Sequence, residues 1–386
     1  MIVYDKTELE NVSLVEQAHF LESAGFISKD QSDLITKKLT TLKSQNNILI
    51  RAGFFLLGCF LYSSICGFIS LISPESIVEN NKVMFYVYAL IGFAGTELLA
   101  RQKYYGHGLD DAFALGAQLT LAIAVGLSTD GNGLPIALII TITSLLCYLR
   151  YVHVSLALLF CLATTASLVY ILFEFGTTGK TILSFVTMLF SAGIYFFSKI
   201  ILQNLKSPYY HKGILLANSF GIVLFYLSGN YLVVRELSVA LLGVEVAPNS
   251  DISFALFFYA FTFIVPIGYL VYSLIKKDRP MLWIGSLALA FSIYTIRFYY
   301  AVLPLETFLT IAGLVLFAFT YFAIKKLKHK ETGITFRPDR FTNVNALMNS
   351  EALIASQLGL KPETIQKSNM EFGGGDFSGG GSGGEF

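Results

Sequence analysis

Long apolar runs alternate with short polar connections from residue 52 to residue 324. A helix needs about 20 mainly apolar residues to cross bilayer hydrocarbon. By that measure the pattern predicts ten spans: 52–72, 83–100, 109–127, 134–149, 152–173, 180–202, 213–234, 252–275, 280–298 and 305–324. Only "RYVH", Arg150 to His153, separates the fourth span from the fifth. Ahead of the first run the pattern changes. Leu14, Val15, Ala18 and Leu21 recur with helical spacing. Gly25 suits a helix stop, and Ser28 with Gln31 predicts a capping box, each side chain taking a free N–H at the helix start. A second helix then follows through Leu34, Ile35 and Leu39. The predicted fold class is therefore an all-α polytopic membrane protein. Residues 1–47 form a helical hairpin, 48–325 a ten-helix transmembrane domain, 326–368 a segment with an amphipathic helix, and 369–386 a Gly-rich tail. The hairpin is too small to bury a core of its own. It is expected to pack on the membrane face, on the C-terminal segment or on a second copy.

Charge orients this pattern. Lys and Arg collect on the cytoplasmic side of membrane proteins. With the N-terminus inside, 23 of the 27 Lys and Arg fall inside, and only Lys82, Lys180, Arg235 and Arg297 fall outside. Miscounting one helix would scramble that asymmetry, so both termini are expected in the cytoplasm. The first apolar run begins near Ile48, too late for a removed signal peptide, which predicts an uncleaved anchor. Composition agrees: 54% of residues are hydrophobic, 14% are charged, and the mean hydropathy is +0.64. A net charge of +1 gives no field that would attract nucleic acid. Cys59, Cys66, Cys147 and Cys161 all lie in apolar runs without metal-ligand spacing, so they read as small core side chains.

The stretch "FLESAGFISKDQSDLITKKL", Phe20 to Leu39, followed by "KSQNN" and a first span, resembles a family of predicted bacterial multi-pass membrane proteins of unknown function. The matching positions are Gly25, Phe26, Ile27, Ser28 and Gln31. "RFYYAVLPLETFL", Arg297 to Leu309, is similar to a Phe-Tyr-Tyr-x-Leu stretch in related families. The resemblance implies the topology and a place in the bacterial inner membrane; it implies no reaction.

Chemistry has few candidate positions. Glu97 lies in the second span, with Arg101 four residues on. "HGLDD" places His107, Asp110 and Asp111 at the start of the third span, where the helix dipole favours carboxylates. Together these could form an acidic cluster at the cytoplasmic mouth. Gln118, Asn218 and Thr141 lie deeper, where polar side chains commonly bond neighbouring helices. Arg297 is expected to pair with Glu306 across the outer "FYYAVLP" loop. Pro266 should kink the eighth span and is a candidate hinge; "LSGN", Leu227 to Asn230, is a candidate break. In the tail, Phe372, Phe377 and Phe386 each follow an acid and are candidate interaction points.

No phosphate-binding loop, zinc-protease motif or nucleophile elbow is present, and no catalytic residue, metal or cofactor is assigned. Ile354 to Gln366 is similar to the turn of a helix-turn-helix, but no third helix follows and only Lys361 and Lys367 are basic there, so no nucleic-acid partner is expected. Two readings follow. One is a non-enzymatic scaffold, sensor or assembly component that meets a cytoplasmic protein through its hairpin or tail, or meets a second copy of itself. The other is a small-solute or ion transporter with a site near Glu97, Gln118 and Asn218.

Overall fold

A computed structural model gives the fold. It describes residues 2–74 except 24 and 46, residues 81–242, residues 251–299 except 253, and isolated helical positions between 307 and 325. The chain divides into two units, Met1–Thr342 and Asn343–Phe386. The second unit, with the amphipathic helix and tail expected there, lies outside the described residues, as do most of the tenth span and Glu306.

The protein is an all-α polytopic membrane protein. Two short helices come first, α1 (Lys6–Ser23) and α2 (Lys29–Lys38). The body follows as α3 (Ile48–Ile72), α4 (Asn81–Arg101), α5 (Leu109–Ser128), α6 (Gly133–Tyr151), α7 (Val154–Glu174) and α8 (Gly176–Asn204). After a 3-10 turn at Pro208–Tyr210 come α9 (His211–Gly229), α10 (Tyr231–Leu242), α11 (Ala255–Lys276) and α12 (Arg279–Tyr299). Among the described residues, nine helices are long and apolar enough to span: α3 to α9, α11 and α12. Sequential neighbours pack as antiparallel pairs, α4 on α5, α6 on α7, α8 on α9 and α11 on α12. Between membrane helices small residues permit close approach. A Cβ added at Gly92 would come within 2.7 Å of Ala117 Cβ, and one at Gly221 would meet the Ser191 carbonyl at 3.0 Å.

Local expectations are met at the hairpin. Gly25 takes φ +75°, and the Phe26 N–H returns to the Leu21 carbonyl at 2.9 Å. Ser28 accepts from the Gln31 N–H while Gln31 accepts from the Ser28 N–H, completing the capping box. Between α6 and α7 the chain turns at Val152, in a left-handed conformation, and at His153.

The seventh span departs from the pattern. The apolar run suggests one helix over 213–234, but α9 ends at Gly229 and α10 starts afresh at Tyr231. Asn230, within the "LSGN" stretch, makes the break: its Oδ1 accepts the N–H groups of Leu232 and Val233 and so caps α10. Its Nδ2 donates to Tyr226 Oη at 2.9 Å and to Thr295 Oγ1 at 3.2 Å. Pro266 does not interrupt α11, which is helical on both sides of it. Proline has no N–H for the carbonyl four residues earlier, that of Thr262. Ser292 Oγ on α12 supplies the missing donor at 2.5 Å. The hinge expected there is thus a buried, cross-braced position.

Candidate functional site

Among the described residues, ion pairs between membrane helices gather at the end where the hairpin sits: Arg51 with Asp111, Arg150 with Glu97, and His153 beside Asp110. The loop before α5 is shaped by backbone: Lys103, Gly106 and Gly108 all have positive φ, at 68°, 62° and 108°. At Gly108 a side chain would collide with the Arg51 carbonyl of α3, so α3 and this loop touch backbone to backbone. The loop's N–H groups converge on one side chain. Asp110 accepts from Gly106 at 2.5 Å, His107 at 3.1 Å and Gly108 at 2.8 Å. Asp110 is fully buried. Both it and Asp111 lie in the first turn of α5, where the helix dipole stabilises negative charge.

Asp111 faces the other way. Arg51 donates to its Oδ2, and Ser155 Oγ donates to its Oδ1 at 2.7 Å. His153, 3% exposed, stands between the two acids, with Nε2 3.3 Å from Asp110 Oδ2 and Nδ1 3.6 Å from Asp111 Oδ1. Tyr4 closes the group. Its hydroxyl donates to the Tyr104 carbonyl at 2.8 Å, so its oxygen is left to accept from His153 Nε2 at 3.3 Å. That assigns the ring proton to Nε2. Burial first, then the nearby Asp110 charge, push the Tyr4 hydroxyl far above the usual phenol range, so it remains a donor. Tyr105, edge-on to Tyr4, is pushed up to about 12, chiefly by burial.

Glu97 forms a separate knot. Arg150 grips its carboxylate through Nε at 2.9 Å and Nη2 at 2.6 Å, and Tyr151 Oη donates at 3.1 Å. Arg101, the partner suggested by spacing, adds a longer contact of 3.3 Å. The acidic cluster expected from Glu97, His107, Asp110 and Asp111 is therefore divided. Asp110 and Asp111 come together, Glu97 is held by α6, and the His107 ring packs on Phe54 and Tyr104. Among the described residues no group of three His, Cys, Asp or Glu is placed to hold a metal ion.

No family model, curated protein or solved structure matches the chain.

The hairpin belongs to this site. Val3 N–H donates to the Arg150 carbonyl at 3.1 Å. Lys43 exchanges backbone bonds with Lys103 and Tyr105, at 2.8 and 3.1 Å. Glu8 pairs with Lys103, and Glu16 with Lys212 at 2.6 Å. Tyr4, Leu9, Val12 and Leu42 share one buried core with Ala100, Ala114, Tyr148, Tyr151, Leu156 and Ala157. The hairpin thus packs on the membrane body, one of the three surfaces expected for it; the C-terminal segment lies outside the described residues.

The deeper candidates are occupied by neighbours. Gln118 accepts from Thr143 Oγ1 at 2.8 Å and faces Cys147 Sγ at 3.5 Å. Asn218 donates to the Tyr195 carbonyl at 3.1 Å and to Ser198 Oγ at 3.0 Å. Thr141 meets Ser167 at 3.1 Å. At the far end, Arg235 lies over the Tyr299 ring at 4.6 Å, and Tyr299 Oη donates to Glu236 at 2.6 Å. Glu306, the expected partner of Arg297, is outside the described residues. Sequence reasoning missed Tyr4, Arg51, Arg150 and His153 as site members. Arg150 and His153 stood in the "RYVH" stretch, but that stretch marked only a boundary.

Proposed function

We propose that the protein is a non-catalytic component of a bacterial inner membrane, with both termini in the cytoplasm. In this reading it is a scaffold or assembly factor whose hairpin docks a cytoplasmic protein. The observation that carries this is the core shared by the hairpin and the membrane helices. A fixed surface loses less conformational freedom on binding than a tethered one, which favours affinity. Phe20, Phe26 and Leu34 remain exposed on that fixed hairpin, by 52%, 47% and 40%, beside the basic Lys29, Lys37 and Lys38 of α2. Such a surface suits a partner presenting apolar and acidic side chains. The distribution of Lys and Arg supports the orientation. Transport gains less support, because Glu97, Gln118 and Asn218 each satisfy neighbouring helices rather than lining a common path.

The test is a photo-crosslinking residue placed in cells at position 20, 26 or 34. A discrete adduct with a different protein is expected from these positions, and none from the exposed, membrane-facing Leu90 or Phe197. The adduct should persist when residues 372–386 are removed. Adducts only with lipid, with the protein's own tail or with a second copy would contradict the reading.

A further inference from the structure

A cleft of about 470 Å³ lies between α7 and α9, lined by Leu162, Ala166, Val169 and Phe173 on one side and by Phe220 and Leu227 on the other. Both helices start at the hairpin end. His153, just before α7, meets Tyr4, and Lys212, in the first turn of α9, pairs with Glu16. The cleft runs towards their C-terminal ends and so occupies the membrane half away from the hairpin. From Leu162 to Phe173 it extends about 16 Å at ~1.5 Å per helical residue. That matches one leaflet of a hydrocarbon core about 30 Å thick.

The walls suit an apolar occupant. Thr165, a polar member of the lining, already donates its hydroxyl to the Cys161 carbonyl at 2.8 Å. An apolar cleft does not hold water well. Tyr170 lines the same cleft, and its ring packs so close to Gly133, the first residue of α6, that no side chain would fit there. That places an amphipathic ring at the membrane-surface end, where tyrosine is favoured. Lys180 stands at this end as well, 5.9 Å from the centre of the Phe173 ring. Its ammonium donates to the Leu241 carbonyl at 2.9 Å. An ammonium has three N–H donors, and among the described residues Leu241 supplies the one acceptor bonded to it, so two N–H groups can turn to phosphate oxygens.

We propose that the cleft between α7 and α9 holds one acyl chain of an anionic phospholipid, with the lipid phosphate at Lys180. The membrane around these helices supplies this ligand, and the Lys180 cation at the mouth matches its headgroup. The binding is independent of the docking role proposed for the hairpin, at the opposite end of both helices.

The test uses the full chain in nanodiscs containing phosphatidylglycerol with a diazirine near the end of one acyl chain. After illumination, adducts on 162–173 and 220–227 should exceed those on the exposed face of α4 at least about fivefold. Unlabelled phosphatidylglycerol should compete saturably. Ala166→Phe and Val223→Phe fill the cleft from opposite walls; each should remove the enrichment without changing the unfolding temperature. Lys180→Gln should abolish the advantage of phosphatidylglycerol over a neutral lipid with the same chains. Even labelling of all membrane-facing surfaces, non-saturable competition, or enrichment that survives both filling variants would overturn the acyl site. An unchanged lipid preference in Lys180→Gln would overturn the headgroup assignment.

Discussion

Replacing Asp110 with alanine is expected to destabilise the protein by about 3–5 kcal/mol, among the larger effects a single substitution produces. The reason is a count of stranded donors. One fully buried carboxylate satisfies the N–H groups of Gly106, His107 and Gly108. A buried donor left without a partner costs roughly 1–3 kcal/mol. The loop also holds the carbonyl of Tyr104 where Tyr4 can reach it, so its collapse should release the N-terminal arm. Asp110→Asn keeps an acceptor oxygen but turns an amide towards the same N–H groups, and should recover only part of the loss. Denaturant unfolding in detergent micelles, with wild type and both variants side by side, measures the difference.

Arg51→Ala is expected to cost less, about 1–3 kcal/mol, because Arg51 is itself 40% exposed and solvent screens the pair from its side. Arg51 is the strong cation on Asp111, whose side chain is almost fully enclosed. Removing Arg51 leaves the enclosed Asp111 carboxylate with Ser155 and the nearby His153 ring alone, whereas replacing both partners with apolar groups of similar volume is often nearly neutral. Arg51→Met with Asp111→Leu should therefore be more stable than Arg51→Ala alone. A double variant no better than the single one would show that the ion pair itself is not the source of the loss. The same unfolding assay decides this.

The positions of the membrane helices were legible because their signal is local and continuous. An apolar run of span length reads the same in sequence and in space, and "RYVH" did separate α6 from α7. The capping box was legible because its two side chains lie three residues apart. The seventh span was legible in part: "LSGN" marks a candidate break, and the helix does break at Asn230, while hydropathy alone gives one span. Tyr231, Leu232, Val233 and Val234 continue an apolar run, so hydropathy carries the helix through Asn230. The helix breaks there because Asn230 spends its side chain on α10 and on Thr295, and Thr295 lies 65 residues away in the chain.

The site was read only in part for the same reason. Glu97 was picked out as a membrane acid, but spacing gives it Arg101, its neighbour one turn on. Its main grip comes from Arg150, 53 residues later. Asp110 and Asp111 read as helix-start carboxylates, which they are, but nothing near them announces His153 or Tyr4. Tyr4 is joined to His153 across 149 residues, by the fold of the arm over the bundle. Pairings of that kind depend on which helices become neighbours, and hydropathy does not specify neighbours.

The N-terminal hairpin shares a core with the membrane helices, which makes it a fixed part of the membrane body rather than a module hung from it. Hydrogen exchange of the protein in nanodiscs tests this most directly. Amides of Leu9 to Leu21 in α1 should exchange as slowly as those of α5, and Asp110→Ala should speed α1 selectively, well before the centre of α5 opens. Fast exchange throughout α1 in the wild-type protein, with α5 still protected, would instead mean a hairpin that hangs loose from the bundle.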